Sequence, residues 1–305
     1  MPVPKAPLVT AVIPTRGRAE IAPRAARSAL AQSYPHVEVV VVVDGPDPAT
    51  VEALGKIEDP RLRVIELPRS VGGSDARNAG VQSARGTWIA FLDDDDEWYP
   101  EKLTTQVSAA LSADCAEPVV SSRFMAREAG GKSSMLPLRA PSESEPISEY
   151  LLVRDNLRRT EGYLQTSTLL ASRELLLRVP FRSGLKRHQD WDWVLRVSRE
   201  ATVDIVFCPQ ALTIYHMEND SSTSRSTDWR FSLEWIHENR PLVSARAYAS
   251  FVTCHVAWQA AADRAWSSFF PLLVDALSNG SVRTGDLVRY AGFWFVPRPV
   301  RRSFR

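Results

Sequence analysis

Residues 86–98 read Gly86-Thr87-Trp88-Ile89-Ala90-Phe91-Leu92-Asp93-Asp94-Asp95-Asp96-Glu97-Trp98, an apolar strand running straight into four consecutive aspartates. Adjacent carboxylates repel one another, so a folded chain gathers them only where something cationic offsets the cost. A strand over 87–92 would deliver them to the edge of a sheet, where α/β proteins place their ligands. The simplest reading is a divalent cation held by carboxylates and used to grip a phosphorylated substrate. The competing reading is a solvated acidic turn capping the next helix, which is what most isolated charge blocks are.

Outward from this run, the first 115 residues alternate strand and helix signals. Residues 8–13 form a short apolar run stopped by Pro14, and 19–33 are alanine-rich with helical spacing, Pro23 being tolerable only near the start. Residues 37–43 are nearly all valine, as a strand buried on both faces should be. A short helix is expected over 48–58, a third strand over 62–66, and a helix over 74–85 that Gly86 stops. Pro100 and Glu101 open another helix, with proline in its first turn and an acid near the positive dipole end. Such alternation predicts a mostly parallel central sheet flanked by helices, a Rossmann-like arrangement.

Regularity fades further along. Residues 129–145 are rich in Gly, Ser and Pro and read as a mobile surface loop. Ser172 can cap a short helix through Arg178, and 189–200 space Trp193, Leu195 and Val197 helically. Residues 203–207 and 211–215 are candidates for a strand pair, 219–228 read as polar loop, and helical patterning runs on from Trp229. No internal repeat is present.

At 305 residues the chain can hold one large domain or two modest ones, and its 44% hydrophobic and 24% charged content is that of a soluble globular protein. A net charge of +1 gives no field that would draw nucleic acid. Cys115, Cys208 and Cys254 are odd in number and lack metal-ligand spacing, which fits reduced thiols in a cytoplasmic protein. Residues 1–8 lack the apolar core of a signal peptide, and nowhere do about 18 apolar residues run together, so no membrane span is expected.

Three features align with the aspartates. Pro14-Thr15-Arg16-Gly17-Arg18 follows the first strand, with Pro14, Thr15 and Arg18 as candidate nucleotide contacts. Asp44-Gly45 follows the second; an Asp there can accept hydrogen bonds from a base or ribose, or can simply be a turn residue. Gly72 to Gly80 puts glycine before a helix start and Arg77 one turn inside, where its guanidinium can fork onto phosphate.

The series VIPTRGR, VVVDGPD, GGSDARNAGVQSARGTWIAFLDDDDEWYPEKL and HQDWDWVLRV resembles the family 2 glycosyltransferases of GT-A fold, over roughly residues 8–223. The resemblance implies an inverting transferase that takes a nucleotide-diphosphate sugar, by default a UDP-sugar, and uses Mn²⁺ or Mg²⁺ to glycosylate an acceptor hydroxyl. Bacterial polysaccharide or glycoconjugate synthesis is the implied setting, with a saccharide or lipid-linked acceptor. It divides the chain into a nucleotide-sugar-binding half (1–115), an acceptor-binding half (116–228) and a helical C-terminal extension (229–305). By resemblance, Thr15 and Asp44 match nucleoside-binding positions and Arg77 the arginine of the Ala-Arg-Asn segment. Asp93 and Asp95 match the outer positions of the Asp-x-Asp motif around Asp94, with Asp95 on the metal. His216 matches a histidine that completes the metal site, and Asp190 matches the catalytic base. Gln189 stands where the family has glutamate, a departure from its Glu-Asp pair.

Other readings stay open beside these. Asp190 could be a helix cap, and His216 a surface or core histidine. Trp191 could stack on a sugar, whereas Trp193 at helical spacing reads as core; His36 and His188 read as structural. The tail holds Trp235, Trp258, Trp266, Phe269, Phe270, Trp294 and Phe295 and ends on Arg298, Arg301, Arg302 and Arg305. It reads as a subdomain packed internally or on a second subunit, which the dispersal of its aromatics favours, or as a peripheral contact at the inner membrane face. A sugar-nucleotide pyrophosphorylase would want a Gly-rich loop after the first strand, which residues 14–18 lack; a catalytically silent nucleotide-sugar-binding module has Gln189 as its only hint.

Overall fold

The computed structural model describes residues 6–128, 130–142, 144–155, 162–217 and 228–296. The chain divides into two compact units, Met1–Leu136 with Leu164–Asp220 and Pro137–Tyr163 with Ser221–Arg305. Residues 137–163 thus group with the C-terminal helices, a division that the sequence boundaries at 115 and 228 do not draw.

The first unit is built on a sheet of nine strands. These are β1 (Val9–Thr15), β2 (Val37–Val43), β3 (Leu62–Glu66), β4 (Trp88–Phe91), β5 (Glu97–Trp98), β6 (Glu117–Arg127), β7 (Ser133–Leu136), β8 (Leu170–Ser172) and β9 (Val203–His216). Their order is β3-β2-β1-β4-β8-β6-β9-β5, with β7 paired to β6. The pairs among β1 to β4 are parallel, as expected; beyond β4 the sheet turns mixed, β8 running antiparallel to both β4 and β6. Both faces are covered, and β2 shows how. Val37, Val39, Val41 and Val43 join the large core beneath α1 (Ala22–Leu30), while Val40 and Val42 meet Ala76 of α3 (Gly73–Ser83) on the other side. Alternating side chains of one strand therefore enter two cores, which is why neither face of the segment is exposed.

Helix α1 places Pro23 in its first turn and buries Ala22, Ala25, Ala26 and Ala29. Small side chains let it lie close to the sheet. Helix α2 (Pro48–Gly55) is capped by Asp47, whose side chain accepts from the Thr50 amide. Gly80 brings α3 down onto β1, since a Cβ there would sit 2.3 Å from Val12 Cγ1. Helix α4 (Lys102–Leu111) comes after the acidic run.

Two expectations for the second half need correction. Within the glycine- and serine-rich stretch, residues 133–136 form β7 by pairing with β6. Residues 203–207 and 211–215 do not pair with each other. They are one long strand, β9, running parallel to β6 with register shifts beside Ser122 and Arg123. The irregularity falls opposite Pro209, which has no N–H to offer a ladder. Ser172 does cap α6 (Arg173–Arg178), accepting from the Leu175 amide, and α7 spans Gln189–Val197.

The second unit contains α5 (Ile147–Leu152), α8 (Trp229–Glu238), α9 (Ala245–Ser250), a π-helical turn over Phe251–Val256, α10 (Ala257–Ala262), α11 (Phe269–Asn279) and α12 (Thr284–Phe295). Trp235, Tyr248, Phe251, Leu272, Tyr290 and Trp294 form its core. Arg246 ties the unit together through Asp286 and Asp155 at 2.6 and 2.8 Å. No helix among the described residues is long and apolar enough to cross a membrane. The polar stretch 219–227 and the arginines from 298 onward lie outside the described residues.

Candidate functional site

The site occupies the carboxyl ends of the parallel strands, at the crevice where β1 has β2 on one side and β4 on the other. Successive connections leave in opposite directions there, which opens room for a ligand. Thr15 ends β1 and the aspartate run ends β4; the Thr15 hydroxyl donates to Asp94 Oδ2 at 2.6 Å, spanning the crevice. Pro14, paired with Val42, holds the strand end beside it.

The four aspartates have four different fates. Asp96 is fully buried: its Oδ2 accepts from Gln165 Nε2 at 2.7 Å and Ser167 Oγ at 2.6 Å, and Oδ1 from the His216 amide at 3.4 Å. Burial raises its pKa well above the ordinary value, and the neighbouring carboxylates add to that. Asp96 is a structural pin. Asp94 is largely buried against Thr15, and burial, with repulsion from Asp95 and Asp93, pushes it up to about 6 despite that bond. Asp93 and Asp95 keep 27% and 17% of their side-chain surface in solvent, so both can face a ligand. The Asp95 pKa is raised by burial and by the charge of Asp93, against opposition from Arg18, whose Nη1 lies 4.0 Å away.

Arg77 links this run to the other half of the site. One of its terminal nitrogens donates to Asp93 Oδ1, and Nη1 donates to Gln189 Oε1 at 2.6 Å. Gln189 opens α7, and Asp190 is the next residue. Burial pushes Asp190 up to about 6; the Asp93 charge raises it further and the Arg77 charge opposes. The cap of α7 is His188 rather than Asp190, held at φ 60° and ψ 23° and stacked on Trp191 at 5.1 Å. Left-handed backbone at a histidine is uncommon and costs of order 1 kcal/mol or more. The Trp193 indole is fully buried, donates to Val179 O at 2.8 Å and stacks on Phe181, so it is core. His36 packs edge-on against Tyr34.

His216, at the end of β9, points its Nε2 at Glu97 Oε1, 2.8 Å away. Arg24 reaches the same carboxylate at 3.4 Å and donates to the Asp95 carbonyl at 2.9 Å. Neither Glu97 nor Arg24 is signalled by a motif; the only hint is that Glu97 extends the acidic run. Among the described residues, no group of three or more His, Cys, Asp or Glu side chains is arranged to hold a metal by itself. The chemistry of the cluster nonetheless suits a divalent cation, because the carboxylates of Asp93, Asp94 and Asp95 crowd together and burial already penalises the ionisation of Asp94 and Asp95.

Asp44 is engaged by its own protein. It accepts from Ser70 Oγ at 2.8 Å, Val71 N at 2.6 Å and Gly72 N at 3.0 Å, fixing the loop that leads into α3. Gly45, at φ 95°, allows this approach: a Cβ would lie 2.8 Å from Ser70 N. The Arg16 guanidinium donates to Ser70 Oγ at 2.7 Å, and the Arg18 amide to Thr50 Oγ1 at 3.2 Å. The β1, β2 and β3 loops are thereby joined into one cradle beside the acidic run.

A family model described as "Glycosyl transferase family 2" matches residues 10–176. Amylovoran biosynthesis glycosyltransferase AmsB of Erwinia amylovora is 27% identical over 223 residues, which cover 70% of this chain and 72% of that protein. Among solved structures, S. aureus TarS 1–349 in complex with UDP-GlcNAc matches 94% of this chain and 79% of its own, with a TM-score of 0.57 and 16% identity. Mannosyltransferase PcManGT from Pyrobaculum calidifontis, in complex with GDP-Man and Mn²⁺, matches 99% of this chain and 84% of its own, with a TM-score of 0.60 and 16% identity. These two likenesses show the fold, the GT-A arrangement that the sequence motifs lead one to expect.

Proposed function

The chain belongs to glycosyl transferase family 2, and on that premise we propose that it moves a sugar, with inversion, from a nucleotide-diphosphate sugar to an acceptor hydroxyl in bacterial polysaccharide or glycoconjugate synthesis. The observation that carries the reading is the Arg77 bridge. It ties the acidic end of β4, where a donor diphosphate belongs, to the start of α7, where Asp190 sits. In this reading Thr15 and Asp44 order the nucleoside end, Asp44 by fixing the 70–72 loop. Asp190 takes the proton of the acceptor hydroxyl as that oxygen attacks the anomeric carbon from the face opposite the diphosphate. The raised pKa of Asp190 fits a base working near neutrality.

Asp95 and His216 would hold a Mn²⁺ or Mg²⁺ ion together with the donor phosphates, and when bound the ion supplies charge neutralisation for the departing diphosphate. Glu97 on Nε2 fixes the orientation of the His216 ring. Complexes of the neighbours with UDP-GlcNAc and with GDP-Man support a nucleotide-sugar donor, and the Mn²⁺ of the second supports the metal. UDP is the first nucleotide to test, and a saccharide or lipid-linked saccharide is the acceptor class.

The test is release of nucleoside diphosphate from a panel of UDP- and GDP-sugars, with Mn²⁺, with Mg²⁺ and with chelator. Metal-dependent release from one donor, lost in Asp95→Asn, is the expected result. Donor-induced thermal stabilisation without release from any donor and acceptor pair would replace the enzyme with a binding module.

A further inference from the structure

Helices α11 and α12 carry an outer face that the transferase reading leaves unused. On α11, Phe270, Val274 and Leu277 recur at helical spacing and are 72%, 58% and 54% exposed; on α12, Val288 and Phe295 are 64% and 67% exposed. No exposed position on either helix is charged, in a chain where 24% of residues are. The two acids these helices do carry are turned inward and matched: Asp275 accepts from the Tyr248 hydroxyl at 2.7 Å and lies 3.2 Å from His237 Nε2, and Asp286 is buried between Arg246 and Arg289. The aromatic part is continuous. Phe269 contacts both Phe270 and Phe295 at ring separations of 5.1 and 5.6 Å, and Trp266 meets Phe295 at 5.9 Å.

Soluble helices keep a polar outer face, and a contiguous apolar one marks a surface that is covered in use. The sequence beyond α12 indicates the cover. Residues 297–305 read Pro-Arg-Pro-Val-Arg-Arg-Ser-Phe-Arg, four arginines with no acid among them. Rings that settle at headgroup depth, next to a segment drawn to phosphate, match an anionic lipid surface. A face from which every carboxylate has been withdrawn meets such a surface without repulsion.

We propose that the α11/α12 face and the arginines after it dock the protein on a bilayer carrying anionic phospholipid. This stands apart from the transferase reading, because its test contains no sugar nucleotide. The full chain is sedimented with vesicles of phosphatidylglycerol and phosphatidylcholine in equal parts, and with vesicles of phosphatidylcholine alone, at low and high salt. Binding to the anionic vesicles is expected, weakening with salt. The double variant Phe270→Ser/Phe295→Ser, altered only at exposed positions and checked to melt like wild type, lowers the partition coefficient at least about tenfold. Arg301→Gln/Arg302→Gln, placed beyond α12, lowers it by roughly twenty-five-fold, about fivefold for each charge. Absence of vesicle binding, or binding indifferent to both variants, overturns the proposal. So does a dimer in sedimentation velocity that the phenylalanine variant dissociates without loss of vesicle binding, which would assign the face to a second copy.

Discussion

Replacing Asp190 by asparagine tests the proposed base through rate, pH profile and stability together. Burial, reinforced by Asp93, holds the wild-type carboxyl at about 6 instead of 3.8. A base with that value is about nine-tenths ionised at pH 7 and about one-tenth at pH 5, so kcat/KM should fall roughly tenfold over that interval. With an ordinary aspartate the same interval would be nearly flat. The pKa is raised on folding, so the associated stability is fully present below 3.8 and is lost as pH rises through about 6. A change from 3.8 to about 6 corresponds to at most about 3 kcal/mol, and less in practice because Asp190 is only partly buried and water screens its charge. Asp190→Asn cannot ionise. It should therefore melt higher than wild type at about pH 8, with the advantage gone by about pH 4. Its turnover should drop by about 10²–10⁴ with donor affinity kept. The assay is nucleoside-diphosphate release across that pH range beside thermal melts. Asp94 also sits at about 6, so the variant decides between the two groups. An acid limb that persists in the residual rate of Asp190→Asn, or turnover equal to wild type, refutes the assignment.

Individual contacts carry further expectations. Arg77→Lys keeps the charge but cannot span Asp93 and Gln189 at once, so kcat/KM should fall about ten- to a hundredfold while the melting temperature drops only modestly; an unchanged rate would remove the bridge from the mechanism. Lys102 is fully buried, donates to Gln106 Oε1 at 2.6 Å and is set 4.2 Å from the Trp98 ring, and burial lowers it to about 7. Because its folded pKa is depressed, wild-type stability should climb as pH rises from about 7 toward 10.5, and Lys102→Met should be more stable by about 1–3 kcal/mol at pH 6.5 after the loss at Gln106, with that gain shrinking by pH 9.5 in urea unfolding. In Gly80→Ala the new Cβ would lie 2.3 Å from Val12 Cγ1, an overlap whose cost of about 1–3 kcal/mol exceeds the gain of about 1 kcal/mol in helix propensity; chemical denaturation should show net destabilisation, and a stabilised variant would contradict the packing.

What the sequence reveals and what it hides divide along a physical line. β2 is legible because six valines in seven residues fill both faces, as a strand between two cores does. β6 is not, because Ser121, Ser122 and Arg123 interrupt its apolar pattern; Ser121 is buried only by virtue of the Thr168 hydroxyl 2.8 Å away, a partner from a distant turn. β9 is half legible, since Pro209 looks like the end of a strand and is instead a bulge in one. The same holds within the site. Four aspartates announce an acidic turn, but Gln165, Ser167, Thr15 and Arg77 decide which of them is pinned and which faces the crevice, and none of those four is adjacent in sequence. Gln189 shows the limit most clearly. Beside the family's glutamate it reads as a weakened motif, yet its amide works in both directions: Oε1 accepts from Arg77, and Nε2 donates to Leu185 O at 2.6 Å. A glutamate could accept from the arginine but would turn a carboxylate oxygen toward that carbonyl. It would also add a negative charge next to Asp190, raising a pKa that burial has already lifted to about 6. Glutamine leaves the Arg77 charge to Asp93 and Asp190. The departure at 189 therefore favours an ionised Asp190 at neutral pH, the form that the proposed base requires, and it argues for an active enzyme over a silent one.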